Sequence, residues 1–258
     1  MTILTAILLA ALQGLTEFLP VSSSGHLVLA GMLLEVPEGS IAFEVVVHLG
    51  TLLAVLAVYG RDLVSLIARS LKGERASQRL LGLLALASLP AGAVGVFLGS
   101  TVEASFENPL LVSFMLLVTG TVLYATRMAP PASRRSPTLK DCLLIGISQA
   151  CAVFPGISRS GATISTGLFR GIEQAQAARF SFLLSVPAIL GAGFMKLRDI
   201  GSTINPEIAL AGLVVSAVVG FVALKLLLRF LRAGRFSGFS WYCWALGGTG
   251  IAYTLLKG

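Results

Sequence analysis

The chain has 258 residues, of which 55% are hydrophobic and only 12% charged, with a mean hydropathy of +0.89 and a net charge of +7. A soluble domain averages about 25% charged residues, so this composition excludes an ordinary water-soluble fold and points to an integral membrane protein. The basic excess is not a nucleic-acid footprint either, because Lys and Arg collect in short loops between apolar runs, where they act as orientation signals.

The opening segment, MTILTAILLAALQG, has no Lys or Arg ahead of its apolar core, unlike the n-region of a secretory signal, and is expected to be retained. It leads into QGLTEFLPVSSSGHL, Gln13 to Leu27, which packs an acid, a proline, three serines and a histidine between two oily stretches. Pro20 lacks an N–H and disfavours helix at Leu19, so the first helix is expected to stop there. Ser22, Ser23 or Ser24 is then positioned to cap a new helix running through His26 and Leu27. Glu17 is the only acid between Met1 and Glu35. Intramembrane carboxylates are costly and mark functional sites by default.

Six runs follow that are long and apolar enough to cross a bilayer core: Ile41–Tyr59, Leu80–Gly99, Leu110–Met128, Phe180–Lys196, Glu207–Leu228 and Trp241–Leu256. Such spans are helices, since lipid cannot satisfy an irregular backbone. In the first of them Glu44 and His48 share one face, where packing or support of a neighbouring site is expected. Basic loops at Gly60–Arg79, at Arg127–Lys140 and around Arg229, Arg232 and Arg235 belong in the cytoplasm by the positive-inside rule, and the acidic loop Ser100–Pro109 and the stretch Gly31–Ser40 belong outside. Lys196 and Arg198, which also fall outside, are the one exception. Cys142, Cys151 and Cys243 form no CxxC pair and read as small apolar side chains inside spans.

A second polar stretch, QACAVFPGISRSGAT, spans Gln149 to Thr163. A shift of 136 residues pairs Gln13 with Gln149, Phe18 with Phe154, Ser22 with Ser158, Ser24 with Ser160 and Gly25 with Gly161. The expected architecture is an all-α polytopic membrane protein forming a single integral membrane domain, residues 1–258, with internal repeats over roughly 1–129 and 137–258. Each half holds one re-entrant helical hairpin and three transmembrane helices. Three crossings per half invert the second half relative to the first, the plan in which interrupted helices meet near the midplane to build a site.

The two loops suggest phosphoryl chemistry. Two helix N-termini carry partial positive charge and free N–H groups that attract phosphate, and Arg159 can grip phosphate oxygens at two points. Ser158, Ser160 and Thr163 are hydroxyl donors to an anion or helix caps. Ser23 aligns with Arg159 across the repeat and is the nucleophile candidate, His26 a proton donor or acceptor beside it. Each assignment competes with a plainer one: serines that permit close packing, a histidine at a wet helix end, an arginine on lipid head groups. Glu17 could hold a divalent cation against a diphosphate, Mg²⁺ needing few protein ligands.

At these residues the chain resembles the bacitracin-resistance family of undecaprenyl-diphosphate phosphatases. EFLPVSSSGH and PGISRSGATIS match its two signature segments, FEVVVHLGTLLAV and FSFLLSVPAI fit as well, and the likeness runs over essentially the whole chain. The resemblance implies removal of the terminal phosphate from a C55 polyprenyl diphosphate, recycling the carrier for cell-wall polymers. It makes Glu17 the acidic, metal-associated residue, His26 a catalytic partner, Ser23 the candidate nucleophile, and Arg159 with Ser158 the diphosphate grip. Gln13, Ser22, Ser24, Ser160 and Thr163 complete the substrate-binding set. It further implies an Mg²⁺ or Ca²⁺ cofactor, membrane-lipid surroundings, a possible homodimer, and residence in the bacterial cytoplasmic membrane with the site facing outward. The chain departs from the pattern at Gln13, where the family often has Glu, which puts a two-carboxylate metal site in doubt. A PAP2-type lipid phosphatase is excluded because no histidine follows Arg159. A polyprenyl-phosphate flippase or transporter remains the alternative, since inverted repeats are a transporter architecture.

Overall fold

The computed structural model describes residues 1–33, 41–195 and 205–257. Most of the stretch Gly31–Ser40, together with Lys196 and Arg198, lies outside the described residues. Described residues form eleven α-helices: α1 (Ile3–Phe18), α2 (Ser23–Leu33), α3 (Ile41–Leu71), α4 (Arg75–Phe97), α5 (Gly99–Phe106), α6 (Pro109–Ala125), α7 (Leu139–Cys151), α8 (Arg159–Phe169), α9 (Gln174–Met195), α10 (Pro206–Arg232) and α11 (Phe239–Lys257).

Among the described residues, five segments are long and apolar enough to cross a membrane: Ala42–Leu71, Arg75–Phe97, Pro109–Met128, Gln174–Phe194 and Pro206–Arg232. The sixth expected span is present as α11, with 19 residues, but Ser240, Gly247, Gly248, Thr249 and Gly250 dilute its apolar character. The four helices flanking the polar stretches are shorter. At 1.5 Å per residue, α1 reaches about 24 Å and α7 about 20 Å, while α2 and α8 reach about 17 Å. None of them alone spans a hydrocarbon core of roughly 30 Å.

Helix ends fall where local chemistry dictates. α1 stops at Phe18, and Leu19, held extended ahead of Pro20, is its C-cap. Ser22 adopts a φ of 65°, a left-handed conformation that costs a non-glycine residue roughly 1–2 kcal/mol. Its hydroxyl accepts the Gly25 N–H at 3.2 Å and so caps α2. The second loop repeats the bond: Ser158 accepts the Gly161 N–H at 3.1 Å and caps α8. α7 opens on a reciprocal capping box between Thr138 and Asp141.

Helices far apart in the chain pack on one another. α1 lies against α10, α7 against α4, α3 against both α9 and α10, and α6 against α11. Close crossing needs small residues. A Cβ on Gly14 would come within 2.8 Å of the Ser216 carbonyl oxygen on α10, and one on Gly146 within 2.7 Å of the Ala87 carbonyl oxygen on α4. The main core includes Phe18, Val55, Leu84, Ile145, Ile164, Phe182 and Leu224. Cys142 and Cys243 are buried, and Cys151 at the end of α7 is exposed.

Candidate active site

The two interrupted loops touch. The Gly156 N–H donates to the Ser22 hydroxyl at 3.2 Å, and the Ser160 hydroxyl donates to the Leu19 carbonyl at 3.3 Å. Gly156 has a φ of 92°, and a Cβ there would strike the Val112 carbonyl on α6, so only glycine fits this turn. Thr119 on α6 clamps the second loop, donating to the Gly156 carbonyl at 2.8 Å while accepting the Ser158 N–H at 3.1 Å.

Glu17, near the end of α1, sits at the centre. Its Oε1 accepts from Arg159 Nη2 at 2.7 Å. Its Oε2 accepts from the Ser23 hydroxyl at 2.6 Å and from Gln13 Nε2 at 3.1 Å. Both charged side chains are largely buried, 8% exposed for Glu17 and 15% for Arg159. The pairing offsets the cost of taking either charge out of water. Ser23 and Arg159 are the first residues of α2 and α8, so both stand at helix N-termini.

His26, expected beside this centre, has both ring nitrogens bonded elsewhere and does not line the adjoining cavity. Its Nδ1 lies 2.7 Å from the Ser22 carbonyl, which can only accept, so Nδ1 carries the hydrogen. Nε2 then accepts from the Tyr242 hydroxyl, also at 2.7 Å, with the two rings stacked. The imidazole that faces Glu17 is that of His48, whose Nε2 is 3.8 Å from Oε2. His48 Nδ1 donates to the Glu44 carbonyl at 2.7 Å, which leaves Nε2 free to exchange a proton. Only its place on the same face of α3 as Glu44 hinted at this.

A cavity of about 1320 Å³ opens over the cluster. Glu17, Ser22, Ser23, Ser24, His48, Gln149, Ser158 and Arg159 line its polar part, and Leu9, Leu27, Phe43, Ala91 and Phe194 are among its apolar walls. Ser160 and Thr163 are buried but do not line it: Ser160 binds Ser158 at 3.2 Å, and Thr163 binds the Arg159 carbonyl at 2.8 Å and the Ser181 hydroxyl at 2.6 Å. These two hold the loop in shape. Four buried polar atoms around the cluster, Arg159 Nη1, Gln13 Oε1 and the Nε2 and Oε1 of Gln149, have no hydrogen-bond partner among the described residues.

A model of the family described as bacitracin resistance protein BacA matches residues 6–249. The chain belongs to the BacA family. Members similar to it include proteins named undecaprenyl-diphosphatase from Desulforudis audaxviator (42% identical, covering 98% of each chain), Moorella thermoacetica (41%, covering 94% of each) and Methanosphaera stadtmanae (38%, covering 95% of each). In this BacA chain no group of three or more His, Cys, Asp or Glu is placed to hold a metal among the described residues. Both oxygens of Glu17 are already bonded to protein donors, so its carboxylate suits a cation only where substrate and water supply most ligands.

Proposed function

We propose that the chain is an undecaprenyl-diphosphatase that removes the terminal phosphate of undecaprenyl diphosphate, leaving undecaprenyl phosphate and inorganic phosphate. The observation that carries this reading is the contact of Arg159 with Glu17 beside the Ser23 hydroxyl, at the polar end of a cavity with apolar walls. Such a cavity suits an amphiphile with an anionic head and a hydrocarbon tail.

In the reaction, Arg159 Nη1 and the N-termini of α2 and α8 hold the terminal phosphate, with Ser22, Ser24 and Ser158 offering hydroxyls. Ser23 Oγ attacks phosphorus as its proton passes to Glu17 Oε2, 2.6 Å away. The new P–Oγ bond replaces the bridging P–O bond, whose electron pair leaves with undecaprenyl phosphate. Water then cleaves the phosphoserine, with His48 Nε2 placed to exchange the proton. Gln13 and His26 act by holding Glu17 and the Ser22 loop. Mg²⁺ or Ca²⁺ arriving with the substrate and held by Glu17 would neutralise charge on the diphosphate.

The site is read as facing the outer side of a bacterial cytoplasmic membrane. In support, Glu103, Glu107 and Pro109, from the acidic loop Ser100–Pro109 that carries no Lys or Arg, line the cavity. Residues of the first two basic loops, among them Asp62, Arg69, Arg79 and Ser136, line a separate pocket together with Arg179. The halves 1–129 and 137–258 are read as inverted duplicates within one membrane domain. The exchanged packing of α1 on α10 and α7 on α4, and the recurring serine caps, support that. A homodimer is compatible with this plan.

The purified protein in detergent, given a polyprenyl diphosphate and Mg²⁺ or Ca²⁺, should release inorganic phosphate. Detergent removes the second compartment that a flippase needs, so absence of release across metals would favour lipid translocation instead.

A further inference from the structure

The amide of Gln149 is 2% exposed, lines the cavity, and finds no hydrogen-bond partner for either its Nε2 or its Oε1 among the described residues. A buried amide left wholly unpaired is rare, because such groups ordinarily find protein or water partners. The first hairpin supplies a contrast. Gln13, 136 positions earlier, spends its Nε2 on Glu17, four residues further along the same helix. Four residues after Gln149 stands Val153, which offers no polar atom, so the equivalent bond cannot form. Arg159 lines the same cavity, and its Nη1 is also buried and unpaired, on a guanidinium whose Nη2 is fixed by Glu17.

We infer that Gln149 is a substrate-contacting residue whose amide binds the diphosphate head, with Nε2 donating to a phosphate oxygen alongside Arg159 Nη1 and Oε1 accepting from a water that accompanies it. This rests on the phosphatase reading and adds a contact to it. In that arrangement Gln13 and Gln149, matched across the two hairpins, have divided tasks: one orients the acid and the other meets the substrate.

The test is Gln149→Leu, which keeps the approximate shape and removes both polar ends, with Gln149→Glu as companion. Kinetics on the polyprenyl diphosphate should show kcat/KM for Gln149→Leu down about tenfold to a hundredfold. Gln149→Glu should be lower still, since its charge repels the diphosphate. The thermal midpoint of the ligand-free Leu variant should equal or exceed that of wild type, because an unpaired polar group has been replaced by an apolar one. Inorganic pyrophosphate should raise the wild-type midpoint and raise that of Gln149→Leu by less. Wild-type kinetics in Gln149→Leu would overturn the inference, and so would a lowered midpoint with undiminished pyrophosphate protection, which marks a structural role. Failure of the wild type itself to release phosphate would instead remove the phosphatase reading.

Discussion

Arg159 and Glu17, 142 residues apart in the chain, meet at 2.7 Å where two broken helices end. The contact joins the first and second hairpins, and nothing local forces it. It depends on α1 packing into α10, on α7 packing into α4, and on the loop-to-loop bond between Gly156 and Ser22. A charge pair this deep is weak evidence for stability, since desolvation offsets much of the attraction. Its value lies in holding Ser23 and the free edge of the guanidinium over one cavity.

Ser23→Ala removes the hydroxyl that donates to Glu17 and leaves the rest of the cluster in place. Phosphate release should fall about a hundredfold or more. Quenched-flow labelling should show a phosphorylated wild-type protein and an unlabelled variant. Near-normal turnover in Ser23→Ala would assign the attack to water.

The two histidines should behave differently. His48→Asn deletes the Nε2 facing Glu17 and should lower kcat about 10²–10⁴-fold, the usual worth of a proton-transfer group. Tyr242→Phe removes only the hydroxyl bonded to His26 and should cost less than about tenfold. Steady-state kinetics on both variants decides the order, and the reverse ranking would return the proton role to His26.

The close crossings predict a sharp intolerance. Gly14→Ala and Gly146→Ala each bring a Cβ under 3.0 Å from a backbone carbonyl oxygen and should lower stability by about 1–3 kcal/mol. Gly82→Ala, with open space around it in α4, should be neutral or slightly stabilising. Thermal unfolding in detergent separates the three.

At the start of α7, Asp141 is fully buried and accepts from the Thr138 N–H, the Thr138 hydroxyl, Arg134 Nη1 and Arg170 Nε at 2.7–2.9 Å. Burial works to raise its pKa, but these donors together hold the carboxyl well below the usual range. Because the folded value lies below the unfolded one near 3.9, the stabilisation is complete above about pH 4 and is lost as pH falls towards the folded value. The midpoint gap between wild type and Asp141→Asn should therefore hold from pH 7 to about 5 and narrow below about 4. A constant gap down to pH 3 would show that the charge is not what matters.

Much of this was legible in the sequence, for local reasons. Pro20 and Pro155–Gly156 are strong breakers, so the ends of α1 and α7 and the serine caps of α2 and α8 follow from the chain alone. The 136-residue shift brought Arg159 opposite Ser23, and the fold sets both beside Glu17. His48 was harder to read. It lies on a long apolar helix, and whether its face meets lipid or a cavity depends on how α3 packs against the first hairpin. His26 shows the opposite limit, because proximity to Ser23 in sequence does not fix which way an imidazole turns. Its ring was claimed by Tyr242, 216 residues away.

The most direct test of the whole account is a double-mutant cycle on phosphate release with Glu17→Gln, Arg159→Lys and the pair combined. If the two hairpins form one catalytic unit through this contact, the double variant should lose little more activity than the worse single variant. Losses that multiply independently, or near-normal release in either single variant, would contradict it.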